Sequence, residues 1–199
     1  MPFNDRQLEQ LFKEINPTRV AKHPYSGMAY LETWDVLAHL NRIFGFEGWE
    51  KHVVSCEFIF EDFVTWKDKK SDQEKQGWDV AYRATVRLII KDFRTGDPVK
   101  VSEDVATGQA SHQPSRGDAH DLAIKSAVSD ALKRAAKDLG NQFGLSLYDK
   151  GSVKSVVGKS LAYEEPTLPP PVSDDVIREQ VAAIRDRQIG EAQRADQEA

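Results

Sequence analysis

The thirteen residues "DVAYRATVRLIIK" (79–91) constrain this chain most. Val80, Tyr82, Ala84, Val86, Leu88 and Ile90 fall on one side of an extended backbone, and Ala81, Arg83, Thr85, Arg87, Ile89 and Lys91 on the other. A period of two sustained this long describes a strand with one buried and one wet face, and a helix would scatter the same residues. Such a strand needs neighbours. Upstream, "HVVSCEFIFEDF" (52–63) is rich in branched and aromatic residues. Downstream, "FRTGDP" reads as a turn and "VKVSEDVATG" (99–108) as a third strand. The charged stretch 66–77 between the first two reads as a loop. These segments predict an antiparallel meander of at least three strands.

Helices flank the meander. Leu8, Leu11, Phe12 and Ile15 recur at helical spacing after a polar start at Asn4, and Pro17 and Pro24 break the pattern beyond them. A second helix is predicted over 33–43, with Val36, Leu37, Leu40 and Ile43 as its apolar side and "FGFEGW" ending it. Residues 109–117 read as a polar loop. Asp118 is the expected cap of a long helix over 119–139, which Gly140 or Asn141 stops. Its apolar stripe is Ile124, Val128, Ala131, Leu132, Ala135 and Leu139. The fold class that results is α+β: a meander packed on one long helix, with further helices N-terminal to it.

Lys133, Arg134 and Lys137 lie opposite that stripe, in a chain whose net charge is -5. An acidic balance argues against nucleic acid as a default partner, but a local stripe of charge decides binding. Residues 151–199 carry 6 basic and 9 acidic residues, which leaves 21 and 23 in residues 1–150, so the body is near neutral. From pattern alone the three cations read as an ordinary solvated face, with Asp130 in reach of Lys133 and Arg134. After Lys150 the character changes, and "GSVKSVVGKS" (151–160) is small and basic. "EEPTLPPPVSDD" is a proline-rich acidic linker, and residues 176–188 could form a short amphipathic helix in a flexible tail. The expected division is therefore 1–154 and 155–199.

Other motifs point nowhere. Six residues separate Gly151 from Gly158 where a P-loop has four, and "LAYEEP" comes after Lys159-Ser160 where a helix should. Asp118, His120, Asp121 and His112 could be drawn as a metal-dependent nuclease site, but they lack paired metal-ligand spacing. One cysteine, Cys56, excludes an internal disulfide framework and suits a reducing compartment. No apolar run is long enough for a membrane span, and "MPFNDRQLEQ" lacks a secretory pattern. No cofactor, metal or catalytic residue is predicted, and the chain is not expected to be an enzyme.

Two blocks carry a resemblance. "SAVSDALKRAAKDLGNQFGLSLYDK" (126–150) and "YLETWDVLAHLNRIFGFEGWE" (30–50) resemble, in order, the signature helix and the early helix of the Rad52 family of single-strand annealing proteins. The likeness covers roughly residues 8–154 and brackets the meander. It implies a curved sheet packed on the long helix and protomers assembled into a ring. It also implies a basic groove for single-stranded DNA, and annealing without nucleotide hydrolysis. Carried over, Lys133, Arg134 and Lys137 match the groove cations and Phe46 a groove aromatic that is tyrosine in animal members. Lys91, Lys150 and Lys154 match or adjoin an outer DNA site, and Arg116 stands near another of its bases.

Asp35 departs from the family pattern, because the resemblance puts an inner-groove arginine there. A carboxylate at that place would repel phosphate, and Asp35→Arg would tighten binding, unless Arg19, Lys22 or Arg42 compensates. That departure keeps a second reading open, an oligomer that coats DNA ends without annealing. The brevity of the chain predicts a short bacterial or phage type in the cytoplasm at the nucleoid. The tail is expected to contact a single-strand binding protein or a nuclease.

Overall fold

The structure, a computed structural model, describes residues 3–68 and 72–160. Helix α1 (Asp5–Phe12) starts at Asn4, whose side chain accepts from the Gln7 amide while the Gln7 side chain accepts from the Asn4 amide. That reciprocal cap satisfies two amides the first turn leaves open. A short hairpin comes next, β1 (Val20–Lys22) against β2 (Ala29–Leu31). Three-residue strands leave too little periodicity to be seen in sequence. Helix α2 (Thr33–Phe44) ends at Gly45, with φ 82°. At Gly48 a Cβ would stand 2.0 Å from the Phe44 carbonyl oxygen, so the tight "FGFEGW" exit needs glycine there.

Three long strands then form an antiparallel meander in the order β3 (Trp49–Lys67), β4 (Glu74–Lys91), β5 (Pro98–Gln113). The alternation in β4 holds from Ala84 on: Ala84, Val86, Leu88 and Ile90 are buried, whereas near the register shifts at 58–60 and 78–80 both Val80 and Ala81 are buried and Tyr82 is half-buried. Residues 66–67 and 74–77 of the expected loop are strand, because ladder pairing runs out to Lys67↔Glu74. Phe63 packs on Trp78 at 5.0 Å and Trp66 on His112 at 4.2 Å, which gives this end a reason to pair. The expected loop over 109–117 is likewise mostly strand to Gln113, since inward Gly108 and Ala110 continue the alternation of β5.

Helix α3 (Arg116–Lys137) lies across β4 and β5. Its cap is Ser115, whose side chain accepts from the Asp118 amide at 3.3 Å; Asp118 sits inside the first turn, where a carboxylate suits the helix dipole. The buried stripe is Ala119, Ala123, Ala127, Ala131, Leu132, Ala135 and Ala136, with the expected Ile124 and Val128 only half-buried. Gly108 explains the preference for alanine. A Cβ there would lie 2.2 Å from the Ala127 amide nitrogen and 2.3 Å from the Ala123 carbonyl oxygen. Helix and strand meet backbone to backbone, and only small side chains fit between them.

The main core gathers Val36, Leu40, Val86, Leu88, Ile90, Leu132, Ala135 and Phe143. Beyond Gly140 (φ 110°) two 3-10 turns, Asn141–Phe143 and Leu145–Tyr148, carry the chain back to α1. Buried Asn141 donates to the Phe12 carbonyl at 3.1 Å and the Val157 carbonyl at 2.9 Å, and accepts from the Val156 amide at 3.2 Å. The compact unit accordingly runs to Lys159. The tail helix considered for 176–188 falls outside the described residues. Among the described residues, no helix is long and apolar enough to cross a membrane.

Candidate nucleic-acid interface

A groove of about 1390 Å3 opens where the β1–β2 hairpin, the second half of α3, the edge of β5 and the turn after Tyr148 converge. Its lining holds six basic side chains, Lys22, Arg83, Lys133, Arg134, Lys137 and Lys150, and one carboxylate, Asp130. An acidic chain has therefore gathered a concave surface with an excess of cations, the arrangement that attracts a polyanion. The hairpin that the proline-rich stretch concealed forms one wall. Ala29 packs against Gly151, where a Cβ would approach it to 3.2 Å, and Leu31 lies against Gly144. The exit of α3 forms the other wall.

The three signature cations do not hang free. Lys133 pairs with Asp130 at 2.7 Å and lies 5.4 Å over the Tyr30 ring. Arg134 donates through Nε to Asp104 Oδ1 at 3.0 Å, a contact that binds the guanidinium proton more tightly than usual. Lys137 stands 3.9 Å from Asp104 Oδ2 and 4.9 Å over the Tyr148 ring. Arg83, from the outer face of β4, pairs with Glu57. Among the described residues, Lys22 and Lys150 have no ion-pair partner.

Of the residues singled out in the sequence, Lys133, Arg134, Lys137 and Lys150 share this groove. Lys150, matched by resemblance to an outer site, thus shares one groove with Lys133, Arg134 and Lys137. Phe46 does not line the groove; it projects from the turn after α2, 84% exposed. The groove aromatics are Tyr30, Phe143 and Tyr148, and Phe143 is buried at its floor while the two tyrosines face the lysines. A lysine over each ring was invisible in sequence, since Lys133 and Tyr30 belong to elements far apart in the chain. Lys91 lies outside the groove and pairs with Glu50 at 2.7 Å. Arg116 opens α3, holds Glu61 at 3.1 Å and covers the Trp78 ring at 5.3 Å. Burial works to raise the Glu61 carboxyl, but hydrogen bonds from His120 and Arg116 outweigh it and keep it below the usual range. Lys154 is exposed and outside the groove.

Asp35 is corrected by the structure. It is buried, 3% exposed, and Arg19 grips both its carboxylate oxygens. It faces no phosphate path. The sequence could not show this because Arg19 comes from the turn before β1 (Pro17–Arg19), sixteen residues away. His120 is likewise engaged, with Glu61 at 2.6 Å and the Tyr82 hydroxyl at 3.0 Å.

Residues 5–166 match the family model described as Rad52/22 family double-strand break repair protein. The chain is 33% identical over 153 residues to the DNA repair and recombination protein RAD52 of Eremothecium gossypii, covering 74% of this chain and 31% of that protein. It is 33% identical over 145 residues to RAD52 of Saccharomyces cerevisiae, covering 71% and 27%. Against the DNA repair and recombination protein rti1 of Schizosaccharomyces pombe it is 27% identical over 170 residues, covering 82% and 42%. The chain spans less than half the length of each of these relatives.

Proposed function

The chain belongs to the Rad52/22 family, and from that premise we propose that it serves DNA repair and recombination by binding single-stranded DNA and annealing complementary strands without hydrolysing a nucleotide. The observation that carries this reading is the groove: six cations against one lining carboxylate, in a chain of net charge -5. Lysine and arginine hold phosphates, release counterions and ignore sequence. With its backbone held in a groove, a strand can present its bases outward for pairing, and duplex formation supplies the free energy. Two aromatic rings, each covered by a lysine, offer sugar or base contacts without the stacking array that would bury every base.

Annealing is assigned to a homo-oligomer, a ring in which the groove repeats and weak contacts sum along one strand. Support comes from the sheet. Among the described residues, the order β3-β4-β5 leaves two edge strands of 19 and 16 residues without a further strand beside them. Val53, Phe58, Ile59 and Phe63 on β3 and Val101 and Val105 on β5 are exposed. Long apolar edges are liabilities unless another copy covers them. Lys91, Arg116 and Lys154 are assigned to a secondary outer path for DNA, and residues 161–199 to partner contact with a single-strand binding protein or a nuclease.

The alternative, coating of DNA ends without annealing, drew its motive from Asp35 as a repulsive groove residue. Asp35 is buried against Arg19, so that motive is gone. The experiment that tests the proposal mixes complementary oligonucleotides with the full chain, without nucleotide, and monitors duplex formation. Binding without acceleration of annealing would favour the coating protein. Absence of binding would reject both.

A further inference from the structure

Period two along β5 puts Ser102, Asp104, Ala106, Gly108 and Ala110 on the side that faces α3, and Ser102, Gly108 and Ala110 are buried there. The close approach at Gly108 sets how near α3 lies to this strand. Asp104 therefore falls under the helix's last turn, within 3.0 Å of Arg134 and 3.9 Å of Lys137. One carboxylate thus holds two of the three signature cations of the groove, and Asp130 holds the third. A carboxylate presents its oxygens to a guanidinium much as a phosphate does. The groove then contains two kinds of cation: Lys22 and Lys150, without a carboxylate partner among the described residues, and the α3 set, already occupied.

We propose that Asp104 is a built-in competitor for the DNA phosphates, occupying Arg134 and Lys137 in the empty groove, yielding them when a strand enters and retaking them as it leaves. This rests on the reading of the groove as a single-strand site. Asp104 is suited to the exchange because it is not orphaned by it. The Val105 amide donates to its Oδ1 at 2.7 Å, a bond that stays when the cations turn to phosphate. The consequence is functional. An annealing protein must let go of the duplex it has made, and a resident anion lowers the cost of release by re-pairing cations that would otherwise be left bare. It also lowers the effective charge that the α3 turn offers to a strand, from two to one for Arg134, Lys137 and Asp104 together.

The test is Asp104→Asn in the full chain, since asparagine keeps the size of the side chain and an acceptor for the Val105 amide. Binding of a labelled oligothymidine is measured across a potassium chloride series, with dissociation and annealing rates alongside. The variant should bind roughly three- to tenfold tighter, with a salt slope steeper by about 0.7, and should dissociate and anneal more slowly. A merely structural role for Asp104 would lower the unfolding temperature and leave the slope alone. If Asp104→Asn does not fold, Asp104→Ser, which also keeps an acceptor, carries the same expectation for the slope. Unchanged affinity and slope in Asp104→Asn, with Lys133→Ala/Arg134→Ala still weakening binding, would overturn the competitor and leave the groove standing. Unchanged binding in every variant would overturn both.

Discussion

Arg19 grips Asp35 as a buried fork, Nε at 2.9 Å from Oδ1 and Nη2 at 2.8 Å from Oδ2. The remaining donors of the guanidinium reach Gln142, with Nη1 2.7 Å from its side-chain oxygen and Nη2 2.8 Å from its carbonyl. Gln142 in turn donates to the carbonyls of Lys13 and Glu14 at 3.0 and 2.7 Å. One arginine thus ties α2, the turn before β1 and the exit of α3 together, and none of Arg19, Asp35 and Gln142 lines the groove. Arg19→Ala leaves the Asp35 carboxylate buried without its partner and should cost about 3–5 kcal/mol of stability. Asp35→Arg sets two guanidinium groups together and should destabilise by a similar amount without tightening DNA binding. Urea unfolding and a binding isotherm on each variant check both statements.

His39, one turn beyond Asp35, carries a pH consequence. Burial pushes its imidazole below the ordinary value of 6.5, against the pull of the Asp35 carbonyl at 2.9 Å and the Asp35 carboxylate at 3.4 Å; the Arg19 and Arg42 charges add to the lowering. The folded chain then binds this proton less readily than the unfolded chain. The contribution is complete above the unfolded value and is lost as pH falls from about 6.5 towards the lower folded value. Denaturant unfolding should show lower stability at about pH 5.5 than at about pH 7.5, and His39→Asn should flatten that decline. An equal decline in the variant would assign the acid sensitivity to other groups.

Gly108 should tolerate no side chain. Gly108→Ala drives a Cβ into the backbone of α3 at Ala123 and Ala127, and the helix must lift. A loss of roughly 1–3 kcal/mol or more is expected. Because α3 carries Lys133, Arg134 and Lys137, single-strand affinity should fall with it. Thermal unfolding and binding on the same sample test the linkage, and a variant with wild-type stability would contradict the close approach.

The meander, the two longer helices and the position of the α3 cations were legible because each rests on local periodicity. The alternation of β4 and the helical spacing of Val36, Leu40 and Ile43 report their own burial. Contacts across the chain were not legible. The hairpin at 20–31 is too short to show a period. Tyr30 under Lys133, Asp104 under Arg134 and Arg19 around Asp35 are each pairs from different elements. Phe46 and Asp35 were drawn towards the groove by alignment to a family pattern, and turn geometry and burial send both elsewhere. Of the expected α3 stripe, Ala131, Leu132, Ala135 and Leu139 are buried, while Ile124 and Val128 are only half-buried and alanines fill the closest approach to the sheet.

Lys150 separates the groove from the outer path. It lines the groove without a carboxylate partner among the described residues, whereas Lys91 is outside and paired with Glu50. Lys150→Ala and Lys22→Ala should each weaken binding of a short single strand and lower its salt slope by roughly 0.7. Lys91→Ala should leave short-strand affinity near that of the wild type. A reversed ranking would move the primary DNA path to the outer surface.

The central claim is that cations on the last turns of α3 hold single-stranded DNA so that it can pair. The most direct measurement is the rate at which complementary oligonucleotides anneal in the presence of Lys133→Ala/Arg134→Ala, without nucleotide, on protein shown to be folded and of wild-type oligomeric mass. Both side chains lie off the buried stripe, so the fold should survive. The account predicts that annealing falls towards the uncatalysed rate, with a shallower salt dependence of binding. A folded, fully assembled double variant that anneals at the wild-type rate would contradict it.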